Sequence, residues 1–123
     1  MLNFGHTIGH AIEAEAISRH IDLPHGIAVM EGMVAELYLS VTQLGMDKEA
    51  LRQMTHLMIE QYGKTPFSCK DFGKLIAHMR QDKKNESATQ INFTLLSKIG
   101  QPKINCVVGE KEIEEALEYL FTI

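Results

Sequence analysis

The stretch from Gly26 to Leu44, GIAVMEGMVAELYLSVTQL, constrains the fold more than any other part of the chain. Wound as a helix, its apolar residues nearly surround it, with Glu31, Glu36 and Ser40 as the polar gaps. A helix with that pattern is central and must be covered by neighbours on several sides. The rest of the chain has to supply those neighbours, and the length of 123 residues fits one domain built around one such helix. Gly45 stops the helix.

The flanking segments have the expected periods. From Thr7 to Arg19, the residues Ile8, Ala11, Ile12, Ala14, Ala16 and Ile17 recur at helical spacing, and Asp22 and Pro24 break the run. Asp47 is a good N-cap for KEALRQMTHLMIEQY, which Gly63 ends. Asp71 is read as the cap of FGKLIAHMRQ, followed by a polar loop from Asp82 to Gln90. Ile91–Gly100 and Lys103–Val108 carry the β-branched and aromatic residues of strands, and SKIGQP between them has the glycine and proline of a turn. The closing segment places Ile113, Leu117 and Leu120 on one helical stripe. The fold class expected is mainly α with a short β-hairpin, as one domain over residues 1–123.

Composition excludes several functions. With 12 basic and 16 acidic side chains, the formal charge of -4 argues against a nonspecific nucleic-acid binder, which needs a positive face for phosphate. No uninterrupted run of apolar residues is long enough to span a membrane, and no basic-then-apolar leader opens the chain. Cys69 and Cys106 form no CxxC pair, so reduced thiols and a cytoplasmic location are expected.

The candidate chemistry lies in the histidines. His6 and His10 stand four apart, on one face of a helix that begins near Gly5, and His25 precedes the central helix. Neutral imidazole is a good zinc ligand, and catalytic zinc sites commonly use three protein ligands and a water. The alternative is a set of partly buried polar residues bonded to carbonyls. The spacing is not the HExxH of zincins. Gly5, Gly9, Gly26 and Gly32 fit either close approach of a ligand or tight packing of two helices. Lys83 and Lys84 are either a solvated pair or point charges for a phosphate or carboxylate. No glycine-rich phosphate loop follows a strand, so nothing in these residues binds a dinucleotide by itself.

LNFGHTIGHAIE resembles the signature of the 3-dehydroquinate synthase family, zinc- and NAD-dependent enzymes of the shikimate pathway. LPHGIAVMEGM resembles the family's second histidine segment, and DKKN with INFTLLSKIG resembles its next block. The resemblance implies the C-terminal helical domain of a dehydroquinate synthase-like fold, preceded in a longer protein by an NAD-binding domain that this chain lacks. It implies zinc or another divalent metal held by His6, His25 and an upstream glutamate. It further implies His10 in substrate contact and proton transfer, Asn3 in substrate contact, and Lys83 or Lys84 on the substrate's anionic end. One departure stands out: the family pattern HGE is here HGI, with Ile27 after Gly26.

The family reaction converts a seven-carbon keto-acid phosphate to 3-dehydroquinate and phosphate. A carbinol is oxidised by NAD, phosphate is eliminated, the ketone is reduced back, and an aldol closure forms the ring. The implied partners are a small anionic sugar-phosphate-like substrate, the missing N-terminal domain and, through an apolar face left open, a second copy in a homo-oligomer. Related sugar-phosphate cyclases share much of the pattern, and a stand-alone helical binding module is the rival from another class. The fragment alone is expected to be inactive.

Overall fold

The fold is taken from a computed structural model, and the structure describes residues 5–63, 67–82, 90–98 and 101–122. The element order is α1 (His6–Ser18), α2 (His25–Leu44), α3 (Lys48–Tyr62), a 3-10 turn (Cys69–Asp71), α4 (Phe72–Asp82), β1 (Gln90–Lys98), β2 (Gln101–Gly109) and α5 (Glu110–Thr122). The mainly helical expectation holds, and so does the hairpin.

The central position goes to α2, which packs on α1, α3, α5 and β1. It is long and apolar enough, by length and composition, to cross a membrane. Its place here is different: Ala28, Val34, Ala35, Leu37 and Leu39 are buried under protein neighbours. Glu31, Glu36 and Ser40 are buried too, so the polar gaps point inward rather than to solvent. α5 adds Ile113, Leu117 and Leu120 to the core on the expected stripe. On α1 the expectation fails at one residue. Ile8, Ala11, Ile12 and Ala16 are buried, but Ile17 is 69% exposed. At 100° per residue, Ile17 falls off the stripe that α2 and α4 cover.

The ends follow local chemistry. The Asp47 carboxylate accepts a hydrogen bond from Glu49 N at 3.0 Å, as an N-cap should. Gly45 (φ 72) ends α2 in the left-handed conformation, and Gly63 (φ 77, ψ -161) ends α3 at another positive φ that glycine takes readily. α1 ends differently, on His20 at φ 58. His20 N donates to Ile17 O and Ile21 N to Ala16 O, the paired bonds of a Schellman motif, built without glycine.

Asp71 stands directly before α4. It ends the 3-10 turn, and its carboxylate reaches back to accept from Ser68 N at 2.9 Å. Asp71 N in turn donates to Ser68 O at 2.9 Å, so Ser68 and Asp71 close the turn ahead of the helix from both sides. In the hairpin, β1 and β2 run antiparallel with Phe93 opposite Cys106 and Lys98 opposite Gln101. The strands therefore extend further into SKIGQP than a broad turn allows. Pro102 lies within β2 opposite Leu96, tolerable because the sheet has two strands among the described residues and each has an open edge there. Cys106 is a free thiol.

Candidate functional site

Both His6 and His25 are the first residues of their helices. α1 begins without a capping side chain: its N-cap is Gly5, at φ 84. The cap comes instead from α2. The buried Glu36 carboxylate accepts from Gly5 N and Ile8 N, each at 2.8 Å. Ile8 is the third residue of the helix, whose N–H a serine or aspartate N-cap would ordinarily satisfy. A carboxylate at this end also meets the positive pole of the helix dipole. Glu36 therefore fixes where α1 starts and so where His6 stands.

Glycine lets the two helices meet there. A Cβ on Gly32 would lie 2.7 Å from Gly9 Cα and closer still to Gly5 O and Gly9 N. One on Gly9 would lie 3.1 Å from Val29 Cα. Of the two readings left open for these glycines, close helix packing accounts for Gly5, Gly9 and Gly32. Gly26 differs, because a Cβ there meets nothing within 4 Å.

The junction gathers three imidazoles. The ring centroids of His6 and His10 are 5.2 Å apart, and those of His10 and His25 are 6.4 Å apart. His10 thus lies near both of the other rings and links the two helix starts. Nδ1 of His6 is buried and has no hydrogen-bond partner among the described residues. A buried polar nitrogen without a partner is costly, which singles this atom out as one that a ligand would satisfy. His25 is more open, its side chain 60% exposed, with Nδ1 3.0 Å from both Glu13 carboxylate oxygens. Among the described residues no three His, Cys, Asp or Glu side chains form a complete metal set. The nitrogen donors suit zinc or a similar ion. They fit a site completed by a ligand outside the described residues. Asn3, Lys83 and Lys84 also lie outside the described residues.

A second charged cluster holds α1 from behind. Arg19 Nε donates to Glu15 at 2.6 Å, and Arg19 Nη2 donates to Asp71. His78 Nε2 lies 3.0 Å from the other Glu15 oxygen, which ties α4 to α1. Burial would by itself raise the Glu15 carboxyl, but bonds from His78 and Arg19 and the charge of Arg19 outweigh it and hold it below the ordinary glutamate value. Asp71 behaves alike: burial pushes it up, and Arg19 and Ser68 N bring it below the usual aspartate range. Hydrogen bonds to both acids raise the Arg19 guanidinium further, so it stays charged.

Sequence reasoning missed the roles of Glu13 and Glu36. For Glu36 a signal existed: an acid in an apolar helix and a helix that begins on glycine each lack a partner, and each supplies what the other lacks.

The fold defined by these elements, mainly helical with one hairpin, has a counterpart among proteins of known structure. It superposes on a crystal structure of 2-deoxy-scyllo-inosose synthase complexed with carbaglucose-6-phosphate, NAD+ and Co2+ with a TM-score of 0.74. The match has 21% identity and covers 97% of this chain and 33% of that one, a likeness of fold. Sequence is more specific. Residues 1–85 match the family model described as 3-dehydroquinate synthase C-terminal. The 3-dehydroquinate synthase of Parabacteroides distasonis is 43% identical over 118 residues, 96% of this chain and 33% of that protein. That of Macrococcus caseolyticus is 42% identical over 120 residues, 97% of this chain and 30% of that protein. The chain belongs to the 3-dehydroquinate synthase family, as a C-terminal domain of that kind. It spans about a third of the length of these relatives.

Proposed function

We propose that this chain is the metal- and substrate-binding domain of a cytoplasmic 3-dehydroquinate synthase. That enzyme converts the seven-carbon keto-acid phosphate to 3-dehydroquinate and inorganic phosphate. The observation that carries the reading is the group of imidazoles at the starts of α1 and α2, with a buried nitrogen on His6 that has no partner among the described residues. His6 and His25 are the metal ligands, and a carboxylate from the preceding domain completes the set. When bound, zinc supplies a Lewis acid for the substrate oxygens, and NAD, held by that preceding domain, supplies a temporary hydride acceptor.

The residues of this chain bind and orient. His10 stands close to both ligands, and its imidazole takes up and returns a proton at the substrate hydroxyl; an imidazole ring can both accept and donate a proton. Asn3 and one of Lys83 and Lys84 hold the substrate's polar and anionic groups, which fixes the reacting carbons in place. Ile27 leaves the His25 segment without the family's acid, so support for that imidazole has to come from another residue.

The test uses the whole protein. Phosphate release from the keto-acid phosphate is measured with NAD and zinc present, and bound metal is measured on the same preparation. His6→Ala and His25→Ala should each lose metal and turnover together. His10→Ala should keep its metal and lose turnover. Retention of full metal content by both His6→Ala and His25→Ala would return the histidines to the role of core polar residues in a binding module.

A further inference from the structure

Glu13 sits one turn beyond His10 on the same side of α1, and its carboxylate reaches His25 across the helix junction. Nδ1 of His25 lies 3.0 Å from each of the two oxygens. An ionised carboxylate only accepts hydrogen bonds, so Nδ1 must carry the proton in this pair. A neutral imidazole has one N–H, and Nε2 is then left with its lone pair.

We propose that Glu13 is a positioning residue that holds His25 in its Nδ1–H form and leaves Nε2 ready to donate to a metal ion. The proposal rests on the reading of His25 as a metal ligand. A structural tie between α1 and α2 is a poor account of the contact. The His25 side chain is 60% exposed and Glu13 27%, and exposed pairs hold helices together weakly. The two helices are already locked by Glu36 and by the bare backbone at Gly32. An exposed histidine on the first turn of a helix samples several rotamers and both tautomers; the carboxylate removes that freedom and makes the ring a stronger donor.

The test begins with the whole protein, isotope-labelled at histidine and stripped of metal by a chelator. At about pH 8, above the ordinary imidazole range, long-range nitrogen–proton correlations report which ring nitrogen is protonated. His25 should be mostly Nδ1–H in the natural protein and should shift to Nε2–H in Glu13→Ala. Unchanged His6 and His10 signals in that variant show that the junction is intact. Cobalt(II) titration followed by absorption should then show an affinity lower by about 10–100-fold. His25 in the Nε2–H form in the natural protein, or Nδ1–H persisting in Glu13→Ala, overturns the proposal. A tautomer shift without loss of cobalt affinity overturns its metal half. His25→Ala with undiminished cobalt affinity instead overturns the reading of His25 as a ligand, and the tautomer measurement still decides what Glu13 does.

Discussion

Replacing Gly32 by alanine adds one methyl group to the central helix at the point where α1 touches it. The new carbon would meet Gly5 O, Gly9 N and Gly9 Cα, all backbone atoms that no rotamer can move aside. Ordinary contact begins near 3.4 Å, so the helices must separate by about 1 Å. Overpacking of this kind costs typically about 1–3 kcal/mol. The same movement stretches the two 2.8 Å bonds from Gly5 N and Ile8 N to the buried Glu36. Weakening hydrogen bonds to a buried charge adds about 1.5–3 kcal/mol. Alanine returns about 1 kcal/mol through its higher helix propensity. The expected net loss is about 3 kcal/mol, which lowers the urea midpoint by about 1.5 M at an m-value typical of a small domain. Gly26→Ala is the control, because the same substitution on the same helix meets open space. It should be neutral or stabilising by up to about 1 kcal/mol. Urea unfolding of both variants beside the natural protein decides the matter. If Gly32→Ala is as stable as the natural protein, the close approach of α1 to α2 does not hold the histidine end together.

Other outcomes follow from single contacts. Ser40 Oγ accepts from Leu96 N at 2.9 Å and donates to Glu36 O, so Ser40→Ala strands a strand N–H and should cost about 1–3 kcal/mol in chemical denaturation. His20→Gly relieves a left-handed residue at the end of α1 and should raise stability by about 0.5–1 kcal/mol; a lower midpoint would show that the His20 side chain contributes there. Glu15 and Asp71 have lowered carboxyl values, so their stabilisation is complete above the ordinary carboxylate range and is lost as pH falls through their folded-state values, which lie below the ordinary ones. Asp71→Asn should therefore lower stability near neutral pH and flatten its decline in acid, as thermal melts at a series of pH values would reveal.

Much of the fold was legible because it is written in local patterns. The all-round apolar helix, the stops at Gly45 and Gly63, the Asp47 cap and the α5 stripe depend on residues within a turn or two of one another. The helix bounds slipped by a residue because His6 and His25 open their helices without caps of their own, and sequence patterns locate caps better than bare starts. Asp71 directly precedes α4, as the pattern says, but the bond of its carboxylate to Arg19 joins segments far apart in the chain and is not written locally.

The sequence by itself determined the family, the central helix and the presence of three histidines near two helix starts. Periodicity and motif are properties of neighbouring residues, and they survive without coordinates. Only the tertiary structure decided that the glycines serve a helix contact, that Glu36 caps a helix 28 residues before it, and that Glu13 faces His25. Those are pairings between distant segments. A polar side chain in an apolar run shows only that a partner must exist, and the approach of α1 to α2 selects which one.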